Sequence, residues 1–189
     1  ERAHAYANLV KQEQAHGRYE RDKAFLRGGI WRNFLSRYSE ANWMHKRMLE
    51  LSERLASLPP STRTPRMQES LHRAQANDAY WHGLFGGLYL PHLRRAVWNN
   101  LLALETDLDS IVPRPAVERH DTDLDGCDEI FMRSAEIQAV IRNDGEAALV
   151  ELSAYASAHN FGDTLRRIDE AYYDKIGQAQ PGHAGESAG

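Results

Sequence analysis

Apolar residues return every three or four positions as far as residue 112 and every second position beyond it, so the change of period separates a helical part from a strand-forming part. Residues 2–26 are rich in Ala, Gln, Glu and Arg. Gly17 interrupts them and the apolar spacing is loose, but the composition reads as helix up to Gly28-Gly29. Ile30, Trp31, Phe34 and Leu35 then form i, i+4 pairs on one side of a short helix. Ser39 or Glu40 opens a longer helix with Met44, Met48, Leu51, Leu55 and Leu58 on one face, and Pro59-Pro60 stops it.

Pro65, well suited to a first helical position, opens a helix carrying Met67, Leu71 and Ala74 that runs to Asn77-Asp78. Past Gly86-Gly87, Pro91 opens another, on which Leu93, Val97, Leu101, Leu104 and Leu108 form a stripe. Each stripe leaves water only against a neighbour. An antiparallel helical bundle over residues 1–112 is therefore the expectation.

Val112-Pro113-Arg114-Pro115 marks a boundary between units. Beyond it Ile130 and Met132 alternate with Phe131 and Arg133, Ile137, Ala139 and Ile141 alternate with Gln138, Val140 and Arg142, and Ala148, Val150 and Leu152 form a third run. Asn143-Asp144-Gly145 is a hairpin turn because Asp and Gly both tolerate positive φ. Three or four antiparallel strands follow over residues 113–176. A sheet so small belongs to something larger, here a β-sandwich cut short. Residues 177–189 lack the apolar content to order themselves, which predicts a disordered tail. The fold class is mainly α, a helical bundle followed by a short, truncated antiparallel β region.

At 189 residues and 42% hydrophobic content the chain can bury a core. A net charge of −4 creates no strong field toward phosphates or acidic headgroups, so neither nucleic acid nor membrane is expected as a partner. No apolar run reaches the roughly 20 residues that cross a bilayer. The single cysteine, Cys127, forms no internal disulfide and fits a reducing, cytoplasmic compartment. Glu1 opens directly into helical composition without an initiator Met, so an upstream portion is expected.

Residues 77–93, Asn-Asp-Ala-Tyr-Trp-His-Gly-Leu-Phe-Gly-Gly-Leu-Tyr-Leu-Pro-His-Leu, join aromatics, a carboxylate, imidazoles and close glycines. An indole beside amide and carboxylate groups suits a sugar, since the ring covers the C–H face while Asn and Asp bond the hydroxyls. The plainer reading makes Trp81, Phe85 and Leu88 core residues at helical spacing.

The run Asn77–Leu93 closely resembles the fifth signature region of glycoside hydrolase family fifty-seven, the alpha-amylase and 4-alpha-glucanotransferase group. Arg27-Gly28-Gly29-Ile30-Trp31-Arg32-Asn33-Phe34-Leu35, Asn42-Trp43-Met44-His45-Lys46 and Asp123-Leu124-Asp125-Gly126-Cys127-Asp128-Glu129-Ile130 resemble further segments of that family, in its order. Trp43 and Cys127 depart from the pattern, standing where a polar residue and an aromatic one are usual. The resemblance implies the family's central helical domain and the start of its C-terminal β-sandwich. It implies an upstream catalytic barrel of the same polypeptide, which supplies the nucleophile and acid/base of a retaining mechanism. No catalytic residue falls in this segment. Asp78 and Trp81 match residues that line the substrate cleft, with Asn77 and His82 as neighbours in the same motif, and the ligand is an alpha-1,4-glucan or maltooligosaccharide.

Asp121-Thr122-Asp123-Leu124-Asp125-Gly126 matches positions one, three, five and six of a helix-loop-helix calcium loop, but position twelve falls on Met132, which cannot chelate. The loop reads instead as a charged turn into a strand. His82 and His92 are ten residues apart, and no His pair has zinc spacing on a clear helix face. The expectation is no metal and no cofactor. Arg94-Arg95 and Arg166-Arg167 read as solvated faces. The rival to the enzyme fragment is a stand-alone carbohydrate-binding or structural helical module without activity.

Overall fold

The computed structural model describes residues 2–26, 30–83, 86–168 and 170. The tail expected over residues 177–189 lies outside the described residues. The chain divides into two compact units, residues 1–32 with 166–189 and residues 33–165.

In the first unit α1 (Arg2–Ala15) ends before Gly17, whose φ of +66° turns the chain into the short α2 (Tyr19–Asp22). The loose apolar spacing of α1 has a structural counterpart. From His4 onward its side chains are exposed or half-buried, and the local ties are polar, such as the paired bonds from Arg18 Nε and Nη2 to Glu13 at 2.9 and 2.7 Å.

α3 (Trp31–Arg37) leads into the second unit, where α4 (Ser39–Ser57), α5 (Pro65–Ala74) and α6 (Pro91–Ile111) pack on one another. Proline sets two of the starts as expected, at Pro65 and Pro91, and the Thr64 hydroxyl caps α5 by accepting from the Met67 N–H at 3.2 Å. α4 stops ahead of Pro59-Pro60, and Arg63 donates from Nε to the Leu58 carbonyl at 2.8 Å and from Nη2 to the Ala56 carbonyl at 2.7 Å. A cation thus satisfies carbonyls that the helix end leaves without partners. Met44, Met48, Leu51 and Leu55 of α4 meet Met67 and Leu71 of α5 and Val97, Leu101, Leu104 and Leu108 of α6 in the core. Each such side chain contributes about 1.5–3 kcal/mol through the area it removes from water.

The β region is one antiparallel meander in chain order, of β1 (Val117–His120), β2 (Glu129–Arg133), β3 (Ile137–Asn143), β4 (Ala147–Ala154) and β5 (His159–Asn160). Two of these, β1 and β5, go beyond the three runs that alternation marks, being too short to show a period. β3 and β4 join through the turn at Asp144-Gly145, with Gly145 at φ +103°, and a bulge sits between Val140 and Ile141.

The buried face of this sheet is the more polar one. Glu129, Phe131, Gln138, Val140, Glu151 and Ser153 are buried, whereas Met132, Ile137 and Leu149 on the opposite face are exposed. Charge explains the choice. Arg47 of α4 is 1% exposed and donates through Nε to Glu151 at 3.1 Å and through Nη2 to Glu105 of α6 at 2.6 Å, and its Nη1 bonds Glu50. Glu151 also accepts from Gln138 Nε2 and Ser153 Oγ, both at 2.8 Å. Arg114 adds an ion pair to Glu105 at 2.7 Å and a two-pronged contact to Asp109. Buried charges are tolerated where their bonds are filled, and here they tie α4, α6 and the sheet together.

One helical arginine departs from the expectation of a solvated face. Arg94 is 6% exposed, with Nε on Asp163 at 2.9 Å and Nη1 on the Leu88 carbonyl at 2.6 Å, because α6 turns it toward the chain after β5. Arg95 beside it is exposed. Among the described residues no helix is long and apolar enough to cross a membrane.

Candidate functional site

Between α5 and α6 the described residues make no helix long enough for a core stripe. Two single 3-10 turns, Asn77–Ala79 and Gly87–Tyr89, flank a loop that includes Trp81 and His82. Leu84 and Phe85 lie outside the described residues. Tyr80 anchors the loop from inside. It is 4% exposed and donates its hydroxyl to the Ala74 carbonyl at 2.6 Å, and burial raises its pKa. Its ring meets His45 of α4 edge-on at 5.8 Å.

The second turn closes back on the loop after the first through a bond from Leu88 N–H to the Trp81 carbonyl at 2.8 Å. Gly87 makes that approach possible. Its φ is +50°, and a Cβ there would lie 2.1 Å from the Trp81 carbonyl oxygen, 2.9 Å from His82 Cα and 3.1 Å from the Asp78 carbonyl oxygen. The chain comes closer at this point than any side chain allows, and the backbone of Asp78, Trp81 and His82 is held as one piece.

The four sequence-selected residues differ in exposure. Asn77 and Asp78 are exposed, and Trp81 and His82 are half-buried. The His82 ring packs among aromatics, 4.9 Å from Tyr38 edge-on, 4.9 Å from Tyr89 and 5.5 Å from Phe34, with Phe34 and Tyr38 stacked at 4.3 Å. The loop thus stands on a ring cluster supplied by α3, the residue before α4 and the second turn. It presents an amide and a carboxylate to solvent and an indole partly so.

A second feature lies where α4 and α6 meet the sheet. A cavity of about 180 Å³ is lined by Trp43, Trp98, Asp123, Glu129, Arg142 and Asn160, among others. Trp43, one of the departures from the family pattern, is 7% exposed and tilts over Phe131 at 6.1 Å, so it belongs to the core between helices and sheet. Asn160 is 2% exposed. Its Oδ1 accepts from the Leu152 and Gly162 N–H groups at 3.1 and 2.8 Å.

Beside the cavity Asp121, Asp123 and Glu129 converge, each with an oxygen within 4.8 Å of the other two. Burial, with Asp123 and Asp125 close by, pushes the Glu129 carboxyl up to about 7 against the N–H bonds that favour its anion. Asp123 is raised as well, first by burial and then by Asp125. Position twelve of the loop spacing falls on Met132, which offers no oxygen. The chain instead turns back into β2 earlier and brings in Glu129.

Residues 29–108 match the family description "Alpha-amylase/4-alpha-glucanotransferase, middle domain" and residues 121–189 match "Alpha-amylase/4-alpha-glucanotransferase, C-terminal". The chain belongs to the alpha-amylase/4-alpha-glucanotransferase family. Asn42–Lys46 and Asn77–Leu93 fall within the family's middle domain and Asp123–Ile130 within its C-terminal domain, as the resemblance implied. A 4-alpha-glucanotransferase of Thermococcus kodakarensis is 39% identical over 184 residues, which are 97% of this chain and 26% of that protein. An alpha-amylase of Pyrococcus furiosus is 41% identical over 174 residues, 92% of this chain and 25% of that one. The crystal structure of 4-alpha-glucanotransferase from Thermococcus litoralis aligns with a TM-score of 0.76 at 38% identity, over 93% of this chain and 26% of that one. The chain therefore spans about a quarter of the length of these family members.

Proposed function

We propose that this chain is a non-catalytic part of a retaining alpha-1,4-glucan hydrolase or 4-alpha-glucanotransferase, completing a substrate cleft whose chemistry belongs to a barrel elsewhere in the same polypeptide. One observation carries the reading: 97% of the chain aligns with a protein named 4-alpha-glucanotransferase and makes up 26% of it. A retaining mechanism needs two carboxylates fixed about 5 to 5.5 Å apart across the glycosidic bond, and the proposal assigns both to the barrel.

The ligand is an alpha-1,4-glucan or maltooligosaccharide. Asp78 accepts hydrogen bonds from sugar hydroxyls, and the Trp81 indole covers the C–H face of a ring. Asn77 and His82 border the same subsite, with His82 holding the loop on its aromatic base. In this reading residues 1–112 are the central helical domain and 113–176 the first strands of a β-sandwich. A second sheet would cover the face that bears Met132, Ile137 and Leu149. The lone thiol of Cys127 suits a cytoplasmic setting.

The reading is tested by offering maltooligosaccharides to this chain alone and to the polypeptide that joins it to the barrel. Turnover is expected only from the joined form. Turnover by the chain alone overturns the division of labour.

A further inference from the structure

The turn between β1 and β2 and the first residue of β2 bring three carboxylates closer together than their charges favour. Asp121, Asp123 and Glu129 offer one oxygen each within a mutual distance of 4.8 Å. Main-chain N–H groups position them. Asp125 N–H donates to Asp121 Oδ1 and to Asp123 Oδ1, both at 3.1 Å, and Gly126 N–H donates to Asp121 Oδ2 at 3.0 Å. The Asp123 carbonyl accepts from Asn42 Nδ2 at 2.9 Å, which ties the turn to α4.

These bonds alone describe a charged turn. Glu129 goes further. Its side chain is buried at 1% exposure, and Oε2 accepts from the Thr122 N–H at 2.8 Å, but Oε1 has no hydrogen-bond partner. A buried acceptor without a donor costs on the order of 1–3 kcal/mol, and more when it carries charge. The oxygen belongs to a carboxyl group that converges with two others, and a cation bound there would supply the missing partner.

We propose that Asp121, Asp123 and Glu129 bind a divalent cation of the calcium class. The donors are all oxygen, which selects a hard ion over zinc or copper. Calcium bonds run about 2.3 to 2.6 Å, so two ligands on opposite sides of the ion lie up to about 5 Å apart, and the observed spread falls inside that reach. Magnesium holds its waters in a stricter octahedron, which two side chains of a turn and one of the following strand are poorly placed to replace. The cavity lined by Asp123 and Glu129 leaves room for water molecules to complete the shell. The ion would fix the turn against α4 through the Asn42 bond.

Terbium is a suitable probe because it replaces calcium on oxygen ligands and because Trp43 and Trp98 line the same cavity, where indole excitation can reach the ion. The full chain, stripped with a chelator, should show saturable one-to-one terbium emission on indole excitation, displaced by calcium. Its melting temperature should rise with calcium and fall again with chelator. Glu129→Gln and, separately, Asp121→Asn should each weaken binding by tenfold or more, whereas Asp128→Asn, an exposed neighbour outside the cluster, should leave it unchanged. The Asp121 variant keeps the comparison decisive if the Glu129 variant does not fold. The proposal is overturned if the stripped wild-type chain gives neither saturable emission nor a calcium-dependent melting shift, or if Asp121→Asn binds as tightly as wild type. None of these readouts depends on glucan turnover, so failure here leaves the proposed cleft role standing.

Discussion

Arg47 on α4 and Glu105 on α6 meet at 2.6 Å with 1% and 0% of their side chains exposed, which places a full ion pair in the middle of the contact between helices and sheet. Glu151 of β4 and Arg114 beyond α6 extend it on either side. Burial by itself would lower the Arg47 pKa and raise that of Glu105. The charges around each outweigh burial, so Arg47 lies well above its ordinary value and Glu105 comes down to about 2.

Removing one charge should therefore cost more than the pair contributes. Glu105→Gln leaves Arg47 with one fewer counter-charge and takes from Arg114 its closest partner in the core. The expected loss is about 3–5 kcal/mol, the usual consequence of breaking a buried pair on one side only. Urea denaturation of wild type and variant measures it. A loss below about 1 kcal/mol would mean that the pair is reached by water.

The same residue sets an acid limit. The folded pKa of Glu105, about 2, lies below the roughly 4.3 of an unfolded glutamate, so the folded state binds its proton less readily. The stability this supplies is fully present above about pH 4.3 and is lost as pH falls toward 2. Urea midpoints recorded between pH 6 and pH 2 should decline through that window, and Glu105→Gln should flatten the decline. A variant with the wild-type profile would assign acid sensitivity to other carboxylates.

Gly87→Ala puts a methyl group 2.1 Å from the Trp81 carbonyl oxygen, where only backbone can yield. The turn must open, and the Leu88 to Trp81 bond is the first to break. A loss of about 2 kcal/mol or more is expected, from strain at positive φ plus one hydrogen bond. Hydrogen exchange at the Leu88 amide should quicken further than at core amides of α6. Unchanged protection at Leu88 would contradict the close approach.

Proline, glycine and periodicity made much of the helical part legible before any coordinates. Pro65 and Pro91 start the helices where expected, and Met44, Leu51, Val97, Leu101 and Leu108 are buried on the faces their spacing indicates. The sheet was legible as strands but not as a surface. Alternation marks two faces, and which one is buried depends on Arg47, a residue on another element some 100 positions from Glu151. The convergence of Asp121 and Asp123 with Glu129 was not legible for a related reason, because the third carboxylate is placed by the return of the chain into β2 and not by loop spacing. For the proposed cleft, the choice of Asn77, Asp78, Trp81 and His82 rests on the family resemblance of their motif. The approach that holds three of them together rests on a Gly87 contact that no local pattern discloses.

The proposed contact of Trp81 with sugar is tested most directly by the kinetics of Trp81→Ala in a polypeptide that joins this chain to the proposed catalytic barrel. Loss of the stacking surface should lower kcat/KM for maltooligosaccharides by about tenfold, with the melting temperature near wild type because the indole is only half-buried. A folded variant with kcat and KM both unchanged would remove Trp81 from contact with sugar.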